Sequence, residues 1–172
     1  MKKIILIFLI LISAKVFASV DSVKVIESMN FSVTDVNGDE TNFKNFLGKG
    51  PVLVNFWALW CEPCKQGMKA FITLADKLKE KGVSMVSINT DKVKSIAKVR
   101  GWVKSQGITQ PMLVDPDGSI ASNQFSMESL PYSLLLKPDG TVYKKHIGFT
   151  AGDEVGIEKE LDELISELSE KK

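Results

Sequence analysis

The sequence predicts an α/β domain in which helices pack on one central mixed β-sheet. Two apolar runs rich in β-branched and aromatic residues, 51–58 (PVLVNFWA) and 83–89 (VSMVSIN), read as strands buried on both faces. An amphipathic helical pattern follows each of them, and two further strand-like runs flank the turn Pro138-Asp139-Gly140 as an antiparallel hairpin. With 172 residues, 44% hydrophobic and 25% charged, the chain is globular and long enough for one domain of ordinary size.

The elements follow in chain order. Met1, Lys2 and Lys3 lead into the apolar run Ile4–Ile12, then Ser13 and Lys15, and Val16 and Ala18 flank Phe17. A basic start, a short apolar core and a small-x-small end make residues 1–18 a secretory signal peptide, with cleavage expected after Ala18 and a mature domain over 19–172. The competing reading, an uncleaved anchor, is disfavoured because the run is far shorter than the roughly 20 apolar residues a span needs. Phe31, Val33 and Val36 alternate with polar residues as a half-buried strand that ends at the turn Asn37-Gly38-Asp39, and Phe43, Phe46 and Leu47 suggest a helical turn. After the first buried strand a helix is expected over 62–81, with Met68, Phe71, Ala75 and Leu78 on one face and Gly82 as its stop. A second is expected over 92–106 through Val93, Ile96, Val99 and Val103, with Asp91 as its N-cap. A short strand over 111–114, a turn over 115–118 and a helical stretch over 119–127 precede the hairpin strands 132–137 and 141–147. Ile157, Leu161, Leu164, Ile165 and Leu168 then mark a closing helix over 153–168, its charged face solvated.

Composition limits the chemistry. The balance of 22 Lys+Arg against 21 Asp+Glu excludes a nucleic-acid binder driven by phosphate neutralisation. Removing residues 1–18 takes away Lys2, Lys3 and Lys15 and turns the formal charge from +1 to −2. Two cysteines allow at most one disulfide, and a single histidine, His146, rules out a His pair or a His-rich metal cluster within one chain. Export would place both thiols where disulfides persist, so a cycling pair there needs a supplied source of electrons.

Those cysteines stand in Phe56-Trp57-Ala58-Leu59-Trp60-Cys61-Glu62-Pro63-Cys64, at the junction of a buried strand with a helix. At a helix start, free backbone N–H groups and the positive end of the macrodipole favour a thiolate. A reference thiol titrates near about 8.5 and Cys-x-x-Cys sites titrate lower, which makes Cys61 the expected attacking thiol. Cys64, one turn on, is the resolving thiol. Pro63 lacks an N–H where none is needed and stiffens the segment between the sulfurs. Glu62 places a negative charge beside Cys61 and opposes the thiolate, which points to a reductant. Three other readings are weaker. A structural zinc site lacks a fourth soft ligand, a stabilising disulfide this short removes little unfolded-state entropy, and chance core cysteines would not be flanked by Trp60 and Pro63 at such a junction.

These residues, with Leu113-Val114-Asp115-Pro116-Asp117-Gly118, Ser129-Leu130-Pro131, Tyr132–Leu136 and Pro138-Asp139-Gly140, resemble the thioredoxin superfamily, and within it the exported TlpA/ResA-like thiol-disulfide oxidoreductases. The resemblance spans about residues 28–170. It implies a thioredoxin fold with an N-terminal β extension and a helical insertion over 90–110. It also implies a cis Pro131 packed against the disulfide, and a Leu130 backbone offered to an extended substrate segment. Trp60 is expected at the active-site surface and Trp57 in the core. Asn55 stands where cytoplasmic thioredoxins carry a buried Asp, and it cannot act as a base. Relatives often place Glu and Pro three and four residues after the second cysteine; Gly67 and Met68 stand there, which leaves Glu62 or water to manage protons. No cofactor or metal is implied beyond the Cys61-Cys64 dithiol.

By resemblance the protein is an exported, periplasmic or extracytoplasmic protein-disulfide reductase. Its electrons would come from a membrane thiol donor, and its clients would include the haem-binding cysteines of apocytochrome c. The alternative is a Sco-like copper chaperone using Cys61, Cys64 and His146, although such proteins space their cysteines by three residues and here there are two. His146, in Lys144-Lys145-His146, otherwise reads as an exposed strand-end residue.

Overall fold

The computed structural model describes residues 29–170, so the expected signal peptide lies outside the described residues. Its strands are β1 (Ser32–Asp35), β2 (Glu40–Asn42), β3 (Val52–Trp57), β4 (Ser84–Asn89), β5 (Met112–Val114), β6 (Tyr132–Leu136) and β7 (Val142–Ile147). They form one sheet in the order β2-β1-β5-β4-β3-β6-β7. β3 pairs parallel with β4, and β4 with β5, while the remaining pairs are antiparallel. The sheet is therefore mixed, with the most apolar strand, β3, near its middle.

Every residue of β3 is buried, as a strand covered on both faces requires. Alternation divides it. Val52, Val54 and Phe56 pack with Phe43, Phe125 and Tyr132, whereas Leu53 and Trp57 pack with Met68, Phe71 and Leu161. The second set gathers the three α-helices, α1 (Glu62–Leu78), α2 (Ile96–Ser105) and α3 (Asp153–Glu170), onto one side of the sheet. Shorter pieces cover the other side, among them the 3-10 turn Phe43–Phe46 and the π-turn Ile120–Gln124. On the charged face of α3, Glu158 and Asp162 pair with Lys77 at 2.5 Å and Lys81 at 2.6 Å, exposed contacts that add little to stability.

The N-terminal β extension implied by resemblance is present: β2, too short and polar to register as a strand by its own pattern, pairs antiparallel with β1 through Thr41 and Val33. Two expectations are corrected. The stretch expected to be helical over 119–127 is regular only over Ile120–Gln124, where the Asp115 carboxylate accepts the N–H groups of Ile120 and Ala121 at 3.1 and 2.7 Å. Asp91 is not a helix cap. The helical segment opens as a 3-10 turn at Val93–Ser95 preceded by Lys92, with no side-chain cap bond, and Asp91 is turned elsewhere.

The β1–β2 turn shows how a local sequence sets its own geometry. Asp35 Oδ1 accepts the N–H groups of Asn37, Gly38 and Asp39 at 2.7, 2.9 and 2.9 Å, and Gly38 supplies the positive φ of 101°. Burial pushes the Asp35 carboxyl up, but the amides of Asp39, Asn37 and Gly38 together hold it below the ordinary aspartate value. A carboxylate whose folded-state value lies below its unfolded one contributes stability above the ordinary range and loses it as pH falls through the folded value. Asp35→Ala is accordingly expected to cost about 1–2 kcal/mol near neutral pH. Thermal melts at pH 7 and pH 3 should show the gap between variant and parent closing in acid.

Candidate active site

β3 delivers the chain to the site. After Trp57 the loop Ala58–Trp60 turns, and Cys61, with extended φ and ψ of −92° and 96°, is the N-cap of α1. Its N–H donates to Ala58 O at 3.1 Å, and its Sγ accepts the N–H of Cys64 at 3.3 Å, one of the donors a helix start leaves without an intrahelical partner. Pro63 lies in the first turn, where its missing N–H costs nothing. Cys61 and Cys64 form a disulfide with Cα atoms 5.2 Å apart. The two cysteines are unequally covered: Cys61 is 5% exposed and Cys64 is fully covered.

The other residues expected at the site are placed as follows. Trp60 is 74% exposed beside Cys61, whereas Trp57 is buried, with its ring 4.9 Å from that of Trp102. The Leu130–Pro131 peptide is cis, Pro131 is buried ahead of β6, and its carbonyl accepts the N–H of Gly148 at 2.8 Å. Leu130 is half-buried and touches the apolar clusters on both faces of the sheet. Glu62 is exposed and its carboxylate meets Lys65 Nζ at 2.6 Å, so its charge is partly compensated and faces the solvent side of α1.

The histidine is not gathered in. His146, on β7, is half-buried, and its Nε2 lies 2.7 Å from Glu160 Oε2 on α3. Among the described residues no group of three His, Cys, Asp or Glu side chains is placed to hold a metal, so Cys61, Cys64 and His146 do not form the set a copper chaperone would need.

Three features behind the site were not legible as such in the sequence. Asn55 is buried with Ser87 and Ser133 as its register partners on β4 and β6, and its amide atoms and Ser87 Oγ have no hydrogen-bond partner among the described residues. Gly67 is buried against Phe149: a Cβ there would stand 3.0 Å from the ring's Cγ. A glycine inside a strong helical pattern was the one signal that something approaches closely. Asp91 accepts the Leu59 N–H at 2.7 Å, across 32 residues of sequence, and nothing local announces that bond.

A covered cysteine joined to a less covered one at a helix N-terminus is an arrangement able to exchange disulfides, because negative charge arising on Cys61 would meet N–H groups and the positive helix end. Comparison with known proteins agrees. The pattern of the AhpC/TSA family matches residues 27–145. The chain is 37% identical over 122 residues to the thiol-disulfide oxidoreductase ResA of Bacillus cereus, covering 71% of this chain and 68% of the relative. It is 32% identical over 118 residues to ResA of Bacillus subtilis, covering 69% and 64%. In fold it is similar to a putative thiol:disulfide interchange protein DsbE from Chlorobium tepidum, with TM-score 0.70, 24% identity, and 78% and 92% of the two chains covered. Sequence likeness and a shared thioredoxin fold thus agree, and the chain belongs to the AhpC/TSA family, as one of its ResA-like thiol-disulfide oxidoreductases.

Proposed function

We propose that this thiol-disulfide oxidoreductase works outside the cytoplasm as a reductase of protein disulfides, with residues 1–18 as a signal peptide cleaved after Ala18 and residues 19–172 as the working domain. Cys61, as thiolate, attacks one sulfur of a client disulfide. A Cys61–client bond forms, the client's S–S bond breaks, and one client thiolate leaves and takes a proton. Cys64 then attacks Cys61 Sγ, which closes the Cys61–Cys64 disulfide and frees the second client thiol. Two electrons have passed to the client, and a membrane thiol donor returns the pair to the dithiol. Trp60 and the Leu130 backbone border the client chain, Pro131 closes the site opposite the helix, and Pro63 limits the freedom of the ring. By family resemblance the haem-binding cysteines of apocytochrome c are among the clients.

The observation that carries the division of labour is the N-cap position of Cys61, its sulfur accepting the Cys64 N–H, with Cys64 fully covered behind it. The direction of transfer rests on charge. The Glu62 carboxylate adjoins Cys61 in sequence and is only partly compensated by Lys65 Nζ at 2.6 Å, and negative charge disfavours a thiolate. A disfavoured thiolate gives up electrons more readily, which is the property of a reductant. The Cys61–Cys64 reduction potential, measured against glutathione or dithiothreitol buffers, is expected below about −200 mV, towards the thioredoxin end of the range. A value near about −120 mV, that of a strong oxidant, would overturn the reductase assignment.

A further inference from the structure

The loop between β3 and α1 is held from outside. Where β4 ends, Thr90 donates its N–H to Trp57 O at 2.9 Å, and Asp91 Oδ2 accepts the N–H of Leu59 at 2.7 Å. Asp91 is itself fixed, because Oδ2 also accepts from Asn89 Nδ2 at 2.9 Å while its backbone N–H donates to Asn89 Oδ1 at 3.0 Å. It is 6% exposed. A carboxylate withdrawn this far from water needs hydrogen bonds in compensation, and a bond to a charged acceptor is stronger than one between neutral groups.

What Asp91 grips is half of one rigid unit. The Leu59 N–H and the Ala58 carbonyl belong to the same planar peptide group. Asp91 holds its N–H end, and the Cys61 N–H holds its carbonyl end at 3.1 Å. The plane is a strut between a buried carboxylate and the N-cap cysteine, and Trp60, 74% exposed, sits on the short arc between its attachment and Cys61.

We propose that Asp91 is a positioning residue which, through the Ala58–Leu59 peptide plane, fixes the loop that presents Trp60 beside Cys61 as the docking surface for a client chain. This rests on the disulfide-reductase reading and adds a determinant of client recognition to it. A client peptide must lie against the loop to be attacked, whereas a small alkylating reagent needs only the sulfur. Freeing the loop therefore weakens reaction with the first far more than with the second.

The test uses the reduced protein, an oxidised peptide carrying a Cys-x-x-Cys disulfide, and iodoacetamide. Asp91→Ala is expected to lower the second-order rate with the peptide about tenfold, mainly through KM, while Cys61 alkylation stays within about twofold. Asp91→Asn, whose amide oxygen can still accept the Leu59 N–H, should recover the peptide rate to within about threefold. If Asp91→Ala does not fold, Asp91→Ser, too short to reach Leu59, carries the same expectation. An unchanged peptide rate in folded Asp91→Ala, or a loss shared equally by alkylation, overturns the proposal. A parent protein that fails to reduce the peptide overturns the reductase reading and this inference with it.

Discussion

Cys64→Ser should convert the protein from a turning-over oxidoreductase into a trap. Multiple turnover of a disulfide peptide is expected to fall by at least about 10³-fold, because a serine hydroxyl cannot replace a thiolate in the resolving attack. The first attack survives. The N–H that reaches Cys61 Sγ at 3.3 Å belongs to the backbone of residue 64 and is untouched by the substitution, as is the helix start beneath it. The client should therefore accumulate on Cys61 as a mixed disulfide, visible as a mass increase under non-reducing conditions and removed by dithiothreitol. Cys61→Ser, by contrast, should neither turn over nor trap, since the remaining thiol is the fully covered one. Trapping by Cys61→Ser instead of Cys64→Ser would reverse the two roles, and sustained turnover by Cys64→Ser would remove Cys64 from the cycle. Stability gives a control: loss of so short a ring removes only about 2 kcal/mol of unfolded-state constraint, so the variant should remain folded.

The parts of this site that were legible in the sequence are those whose cause is local. A β-branched and aromatic run buried on both faces has one reading, and β3 follows it to within a residue at each end. Cys61 and Cys64 are placed by the strand-to-helix junction and by one helical turn, both visible as pattern. The hairpin β6–β7 is announced by its Pro-Asp-Gly turn. What stayed hidden depends on contacts between distant segments. Asp91 has the composition of a helix cap and precedes a helical pattern, yet the unpaired N–H of Leu59, brought alongside by the parallel pairing of β3 with β4, competes for the same carboxylate and wins. β2 has no apolar alternation of its own and is a strand because β1 offers it a ladder. Glu62 was legible as an acid next to Cys61 but its pairing with Lys65 was not, although three residues along a helix is a spacing that permits it.

Gly67 is where the sequence showed an anomaly without its reason, and Gly67→Glu should lower stability by about 3–5 kcal/mol, through a buried charge and a steric conflict together. The geometry is specific. A Cβ at this position would lie 3.0, 3.2 and 3.4 Å from Cγ, Cδ2 and Cβ of Phe149. The half-buried ring packs edge-on against Phe71 at 5.4 Å and follows Gly148, whose N–H is bonded to Pro131 O, so a side chain at 67 must displace it from these contacts. Pushing it aside would disturb the segment whose Gly148 N–H is bonded to the cis proline, Pro131. Gly67→Ala isolates the steric part: alanine gains about 1 kcal/mol in helix propensity and loses about 1–3 kcal/mol by overpacking, for a net loss of up to about 2 kcal/mol. In a Phe149→Ala background the overpacking disappears, and the same Gly67→Ala change should become stabilising by about 1 kcal/mol. A double-mutant cycle in urea reads that reversal of sign. Were Gly67→Ala stabilising in the parent protein as well, Phe149 would not be fixed over the helix. With the reversal observed, position 67 would be shown closed to larger side chains by an aromatic contact.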